Sequence, residues 1–132
     1  MRHTLAIFVS ALILVTACSD DNALPALVQS MLTLHEGVAG KATCEAKIAY
    51  AAGFLTKNEA ALVEARDKFD RSCERGTTAG IRCQSLRMMA CGKVEVELRK
   101  CRNHDVNGQI PLIFEKLHEA TGAYFDVHAV TP

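Results

Sequence analysis

From residue 25 onward the chain predicts an all-α domain, either a small disulfide-stapled helical bundle or a short helical-repeat array. Three observations support this. Apolar residues return every three or four positions through most of the chain, the spacing that lines one face of an α-helix. Glycines, prolines and an Asn-Gly pair interrupt the pattern at intervals that a helix would fill. Five cysteines (Cys44, Cys73, Cys83, Cys91 and Cys101) are spread over a segment small enough to benefit from covalent staples.

Pro25 can open the first helix, because the donor it lacks would be unsatisfied there in any case. Leu27, Val28, Met31, Leu32 and Leu34 then recur at helical spacing, and Gly37 and Gly40 are read as the stop. His35 is placed to interact with that helix's carboxyl end. A second helix is expected from about Ala42 to Ala52, with Ile48, Ala49 and Ala52 apolar and Gly53 at its end. Thr56 or Asn58 can cap a third, with Glu59 in its first turn. Ala61, Leu62, Ala65, Phe69 and Cys73 continue its apolar face up to Gly76.

A fourth helix is expected from about Ala79 to Arg102. Its stripe is Cys83, Leu86, Ala90, Val94, Leu98 and Cys101, with Met89 and Cys91 beside it. Asn107-Gly108 is a turn signal. A last helix, lined by Ile110, Ile113, Phe114 and Leu117, ends near Gly122. The tail from Ala123 is expected to form a short strand or to pack as an extended segment.

The first residues have a different character. Arg2 precedes LAIFVSALILV, Leu5 to Val15, an apolar run too short for the roughly 20 residues of a spanning helix. A basic start, an apolar stretch and small residues are the parts of an export signal. Val15-Thr16-Ala17-Cys18 resembles the lipobox of bacterial lipoproteins. That resemblance implies lipidation of Cys18, removal of residues 1–17, a tether over 18–24 and a helical domain over 25–132. It also implies an oxidising compartment. Ser19 stands where an Asp would signal inner-membrane retention, so the outer membrane, facing the periplasm, is the expected location. Asp20 and Asp21 leave the inner membrane open.

Removing residues 1–17 leaves 115 residues, a length suited to one domain, with 14 basic and 15 acidic residues once Arg2 is gone. That balance argues against a nucleic-acid partner. The chain has no Trp and few aromatic residues, which is unusual for a carbohydrate-binding face.

In an oxidising compartment most of the five remaining cysteines should pair, leaving one over. Gly37–Gly53 aligns with Gly76–Gly92 at an offset of 39, with Cys44 over Cys83 and Ala51 over Ala90. Together with the helix ending in Cys73-x-x-Gly76, this resembles the cysteine-rich Sel1-type helical repeats. In that family a Cys closing one helix bonds to a Cys opening the next, which implies a bridge from Cys73 to Cys83. The sequence departs from the family by two extra residues between those cysteines and by lacking Leu-Gly after the second. An antiparallel hairpin turning near Gly76–Thr78 would also bring Cys73 and Cys83 together. Continued outward, it puts Cys44 nearest Cys101, provided Gly53 allows a bend. Cys91 is then the free thiol, expected on the apolar stripe.

No catalytic, cofactor or metal site is assigned. Cys91, Cys101 and His104, with Cys83 one or two turns away, are the strongest metal candidates, but Cys83-x7-Cys91 lacks the close pair of a structural zinc site. No Cys-x-x-Cys occurs for thiol exchange. Glu115, His118 and Glu119 can share a helix face and could do acid–base work if they lined a pocket; a solvated face is the simpler expectation. The leading functional expectation is a lipid-anchored envelope accessory protein that binds another envelope protein, as secretin pilotins or helical-repeat scaffolds do. Immunity, inhibitor or conjugation-exclusion lipoproteins are the second class, and an envelope polymer hydrolase using Glu115 and His118 the third. Exposure of Met88 and Met89 would favour the first.

Overall fold

The computed structural model describes residues 24–126. They form five α-helices: α1 (Ala26–Ala39), α2 (Cys44–Lys57), α3 (Glu59–Ser72), α4 (Thr78–Arg99) and α5 (Gln109–Thr121). A single 3-10 turn, Arg102–His104, separates α4 from α5, and there is no strand among the described residues. The structure is thus an all-α, disulfide-stapled bundle.

Local chemistry accounts for most helix ends. Thr43 caps α2 by accepting from the Ala46 backbone N–H at 3.1 Å. Asn58 joins α2 to α3, and its side chain turns back to donate to the Phe54 carbonyl at 2.8 Å. Thr77 caps α4, accepting from Gly80 N–H at 2.9 Å while donating to the Glu74 carbonyl at 2.8 Å. Before α5, the Asp105 carboxylate accepts from the backbone N–H groups of Gln109 and Ile110, each at 2.8 Å. These are the donors a helix start leaves orphaned, and a carboxylate there also suits the helix dipole.

Two expected stops are not stops. α1 passes through Gly37 and ends at Gly40; α2 passes through Gly53 and reaches Lys57. Gly37 instead permits close approach: a Cβ there would lie 2.1 Å from the Tyr50 ring of α2. Because α1 continues to Ala39, its last turn has no basic residue, and His35 sits too early to face the final carbonyls. The two aligned glycine-to-glycine segments also fall on unlike elements. Gly37 is helical while Gly76 is in a turn, and Cys44 opens α2 while Cys83 lies inside α4.

The core is centred on α1, which packs most extensively on α4 and also touches α2 and α3; α5 packs chiefly on α2 and α3. Leu27, Val28, Met31, Leu34 and Val38 of α1 are fully buried. They meet Leu62 and Phe69 of α3, Val94 and Leu98 of α4, and Ile110, Phe114 and Leu117 of α5 in one apolar cluster. Burying each such side chain contributes roughly 1.5–3 kcal/mol. Beyond α5, residues 122–126 pack without forming a strand, burying Ala123 and Phe125. Residues 127–132 lie outside the described residues.

Two disulfides staple this arrangement, Cys44–Cys101 and Cys73–Cys83, with Cα–Cα separations of 5.3 and 5.6 Å. They are the two pairs named from the hairpin reading. The bend that brings Cys44 to Cys101 occurs at Asn58 rather than at Gly53. The inner hairpin is tight: a Cβ on Gly80 would lie 1.7 Å from the Glu74 carbonyl oxygen, a backbone atom that cannot swing away. Gly80→Ala is therefore expected to destabilise the fold by about 1–3 kcal/mol, read from chemical denaturation. An unchanged midpoint would contradict the close contact.

Candidate functional site

α4 is the longest helix, and its two sides differ sharply. Successive residues are turned by 100°, so positions three, four and seven apart share a face. Arg87, Ala90, Cys91, Val94 and Leu98 point inward and are buried, while Cys83 and Leu86 are half-buried beside them. The opposite face carries Ile81 (62% exposed), Met88 (70%), Met89 (43%) and Val96 (55%). Ser85 and Gly92 lie between them, and a Cβ on Gly92 would meet open space. From Ile81 to Val96 the ridge is about 22 Å long at 1.5 Å per residue. Isolated surface apolar residues are ordinary, whereas four aligned on one helix face form a patch.

Charge along α4 is also ordered. Glu97 pairs with Lys47 of α2 at 3.2 Å and with Lys100 at 2.9 Å. These hydrogen bonds, Lys100 first, hold the Glu97 carboxyl below its ordinary pKa. Glu95 pairs with Arg99 at 2.6 Å and accepts from the Asp126 backbone N–H at 3.2 Å. Both glutamates are thereby engaged within the fold.

Behind the ridge is a buried polar group that sequence reasoning missed. Arg87 is 7% exposed, donates to the Thr121 carbonyl at 2.9 Å and to the Gln84 side chain, and lies over the Phe69 ring at 4.9 Å. Burial lowers its pKa, opposed by Cys91 and Asp70. Arg66 donates to the Glu119 carbonyl, so two guanidinium groups satisfy the carboxyl end of α5. Gly122 closes that end with φ +71°, and a Cβ there would stand 3.1 Å from guanidinium nitrogens of both arginines. Only the 34-residue separation between Arg87 and Thr121 hid this contact; no local signal announces it.

Cys91, the free cysteine among the described residues, is buried beside this network. Burial pushes its thiol up from 9.0 to about 11, against opposing effects of a Thr121 hydrogen bond and of Arg87. A neutral, enclosed thiol is a poor nucleophile. A maleimide at neutral pH is expected to modify it only after unfolding. Because the folded state holds the proton more tightly, the stabilising contribution of the neutral thiol is complete below about pH 9 and is lost as pH rises through about 11. Cys91→Ala should flatten stability over that window; an unchanged slope would contradict the burial.

The acid–base trio does not converge. Glu115, His118 and Glu119 are all exposed. His118 Nδ1 donates to the Ala123 carbonyl at 2.7 Å, which holds the chain turn after α5. Glu119 lines a shallow cleft of about 250 Å³ with Leu55, Glu59, Leu62, Val63 and Lys116, but Glu115 and His118 do not line it. Of the zinc candidates, Cys83 and Cys101 are in disulfides, Cys91 is a buried thiol and His104 is exposed. Among the described residues no group of three or more His, Cys, Asp or Glu is placed to hold a metal ion. Cys18 and the segment before it lie outside the described residues. No described helix is long and apolar enough to cross a membrane.

The class that fold and surface define is a small disulfide-stapled helical bundle with one apolar helix face open to solvent. No protein-family model, curated protein or solved structure matches the chain.

Proposed function

We propose that this chain is a lipid-anchored envelope accessory protein that holds another envelope protein against the outer face of α4. In this reading residues 1–17 direct export, Cys18 carries the lipid, and residues 19–24 tether the bundle at the outer membrane, facing the periplasm. The observation that carries the binding role is the row Ile81, Met88, Met89 and Val96, apolar and exposed along one helix face. Methionine side chains are flexible and polarisable, and suit a surface that must fit a partner. Anchoring confines the bundle near membrane partners and raises its effective concentration there.

A photo-crosslinking amino acid placed at Met88, at Val96 and, as a control, at exposed Glu64 of α3 tests the proposal in intact cells. Positions 88 and 96 should give the same discrete protein adduct, and position 64 none. Equal adducts from all three positions, or none from 88 and 96, would overturn it. The anchor is tested separately: metabolically supplied palmitate should label the chain but not Cys18→Ser. Labelling that survives the substitution would remove the lipid from the account.

A further inference from the structure

We infer that the occupant of α4's outer face is an amphipathic helix of a partner protein, apolar along one stripe and acidic along one edge of it. This rests on the partner-binding reading above and adds the partner's chemistry. The argument is charge complementarity. The chain as a whole balances 15 basic against 15 acidic residues, yet α4 and its cap carry Arg82, Arg87, Lys93, Arg99 and Lys100 against only Glu95 and Glu97. Arg87 is turned into the core. Glu95 is held by Arg99, and Glu97 by Lys47 and Lys100.

Arg82 and Lys93 are exposed and make no ion pair among the described residues. At 100° per residue, Arg82, Lys93 and Lys100 fall within about 20° of one another, beside Met89 and Val96. The ridge therefore has a basic edge. Its other edge holds Gln84 and Glu95, the latter paired with Arg99, which also lies 4.0 Å from Asp126, so that edge carries no basic residue. An acidic row on one side of a helical partner would lie against Arg82, Lys93 and Lys100 while its apolar stripe covers Met88 and Val96. Such a pairing also sets the partner's orientation.

A second copy of this chain paired antiparallel fits less well. Antiparallel two-fold pairing through α4 sets the two basic edges against each other. A lipid surface is a flat partner, and α4 has no aromatic residue to seat in a headgroup layer.

The test uses the full chain as isolated from cells and two synthetic helical peptides of about eight turns. Both carry the same leucine stripe; one has a row of glutamates along one edge, the other lysines in the same places. Fluorescence anisotropy should show the glutamate peptide binding at least about tenfold more tightly, a difference that shrinks with added salt. Arg82→Glu with Lys93→Glu should reverse the preference, and Met88→Asp should weaken both peptides. Equal affinity for the two peptides, binding of neither, or a preference unmoved by charge reversal overturns the inference. So does tight binding to phosphatidylglycerol vesicles that charge reversal abolishes while peptide binding is unaffected, since that assigns the basic edge to lipid. A protein adduct from position 88 combined with any of these results leaves the partner-binding reading standing and removes the acidic helix.

Discussion

Replacing Cys44 and Cys101 together by alanine is expected to lower the stability of the domain by about 4 kcal/mol. The bridge spans 57 residues, so the unfolded chain without it regains the freedom of a large loop. It also joins the start of α2 to the turn after α4, two elements that otherwise meet through few contacts. Cys101 is completely buried, so removing its sulfur adds a packing loss to the entropic one. The inner bridge closes only 10 residues, and its removal should cost less, about 2.5–3 kcal/mol. Domains of this size are stable by roughly 5–15 kcal/mol, so loss of the outer bridge takes the fold close to its limit. Guanidinium denaturation of the two double variants checks both size and order. A loss below about 1 kcal/mol for the outer pair would show that packing alone holds α2 in place.

Phe114→Ala is expected to have a similar effect, about 3–5 kcal/mol. Phe114 is completely buried on α5, and its ring lies 5.5 Å from that of Phe125. Truncation leaves a cavity bounded by rigid helices and takes away the surface on which residues 122–126 rest. The loss should therefore spread locally. Asp126, whose backbone N–H donates to Glu95, should exchange its amide hydrogen faster in the variant. Urea denaturation gives the global number and hydrogen exchange the local one. A cost under about 1 kcal/mol would mean that the site collapses without strain.

What could be read in the sequence was local, and what could not was mostly long-range. Leu27, Val28, Met31 and Leu34 announce a buried helix face because their spacing alone determines it. Asn58 is likewise legible as a boundary residue. Gly37 is misread as a stop because glycine marks both helix ends and close approach, and the Tyr50 ring that decides between them comes from another helix. Arg87 looks like a surface residue until the end of α5 arrives to receive it. On α4, Met88 and Met89 stand out as a pair, but Ile81 and Val96 are legible as part of the same ridge only once the inward face is known. Ala49 and Ala61 show the converse: apolar at helical spacing, yet exposed, because alanine carries too little surface to dictate its side.

The most direct test of the central claim, that the outer face of α4 is a docking surface and not part of the core, is one doubly substituted chain. Met88→Asp with Val96→Asp, measured for thermal stability and for crosslinking from a neighbouring position on α4, separates the two roles. The account predicts a stability change within about 0.5 kcal/mol together with loss of the adduct. A large drop in stability, or an adduct that persists undiminished, would contradict it.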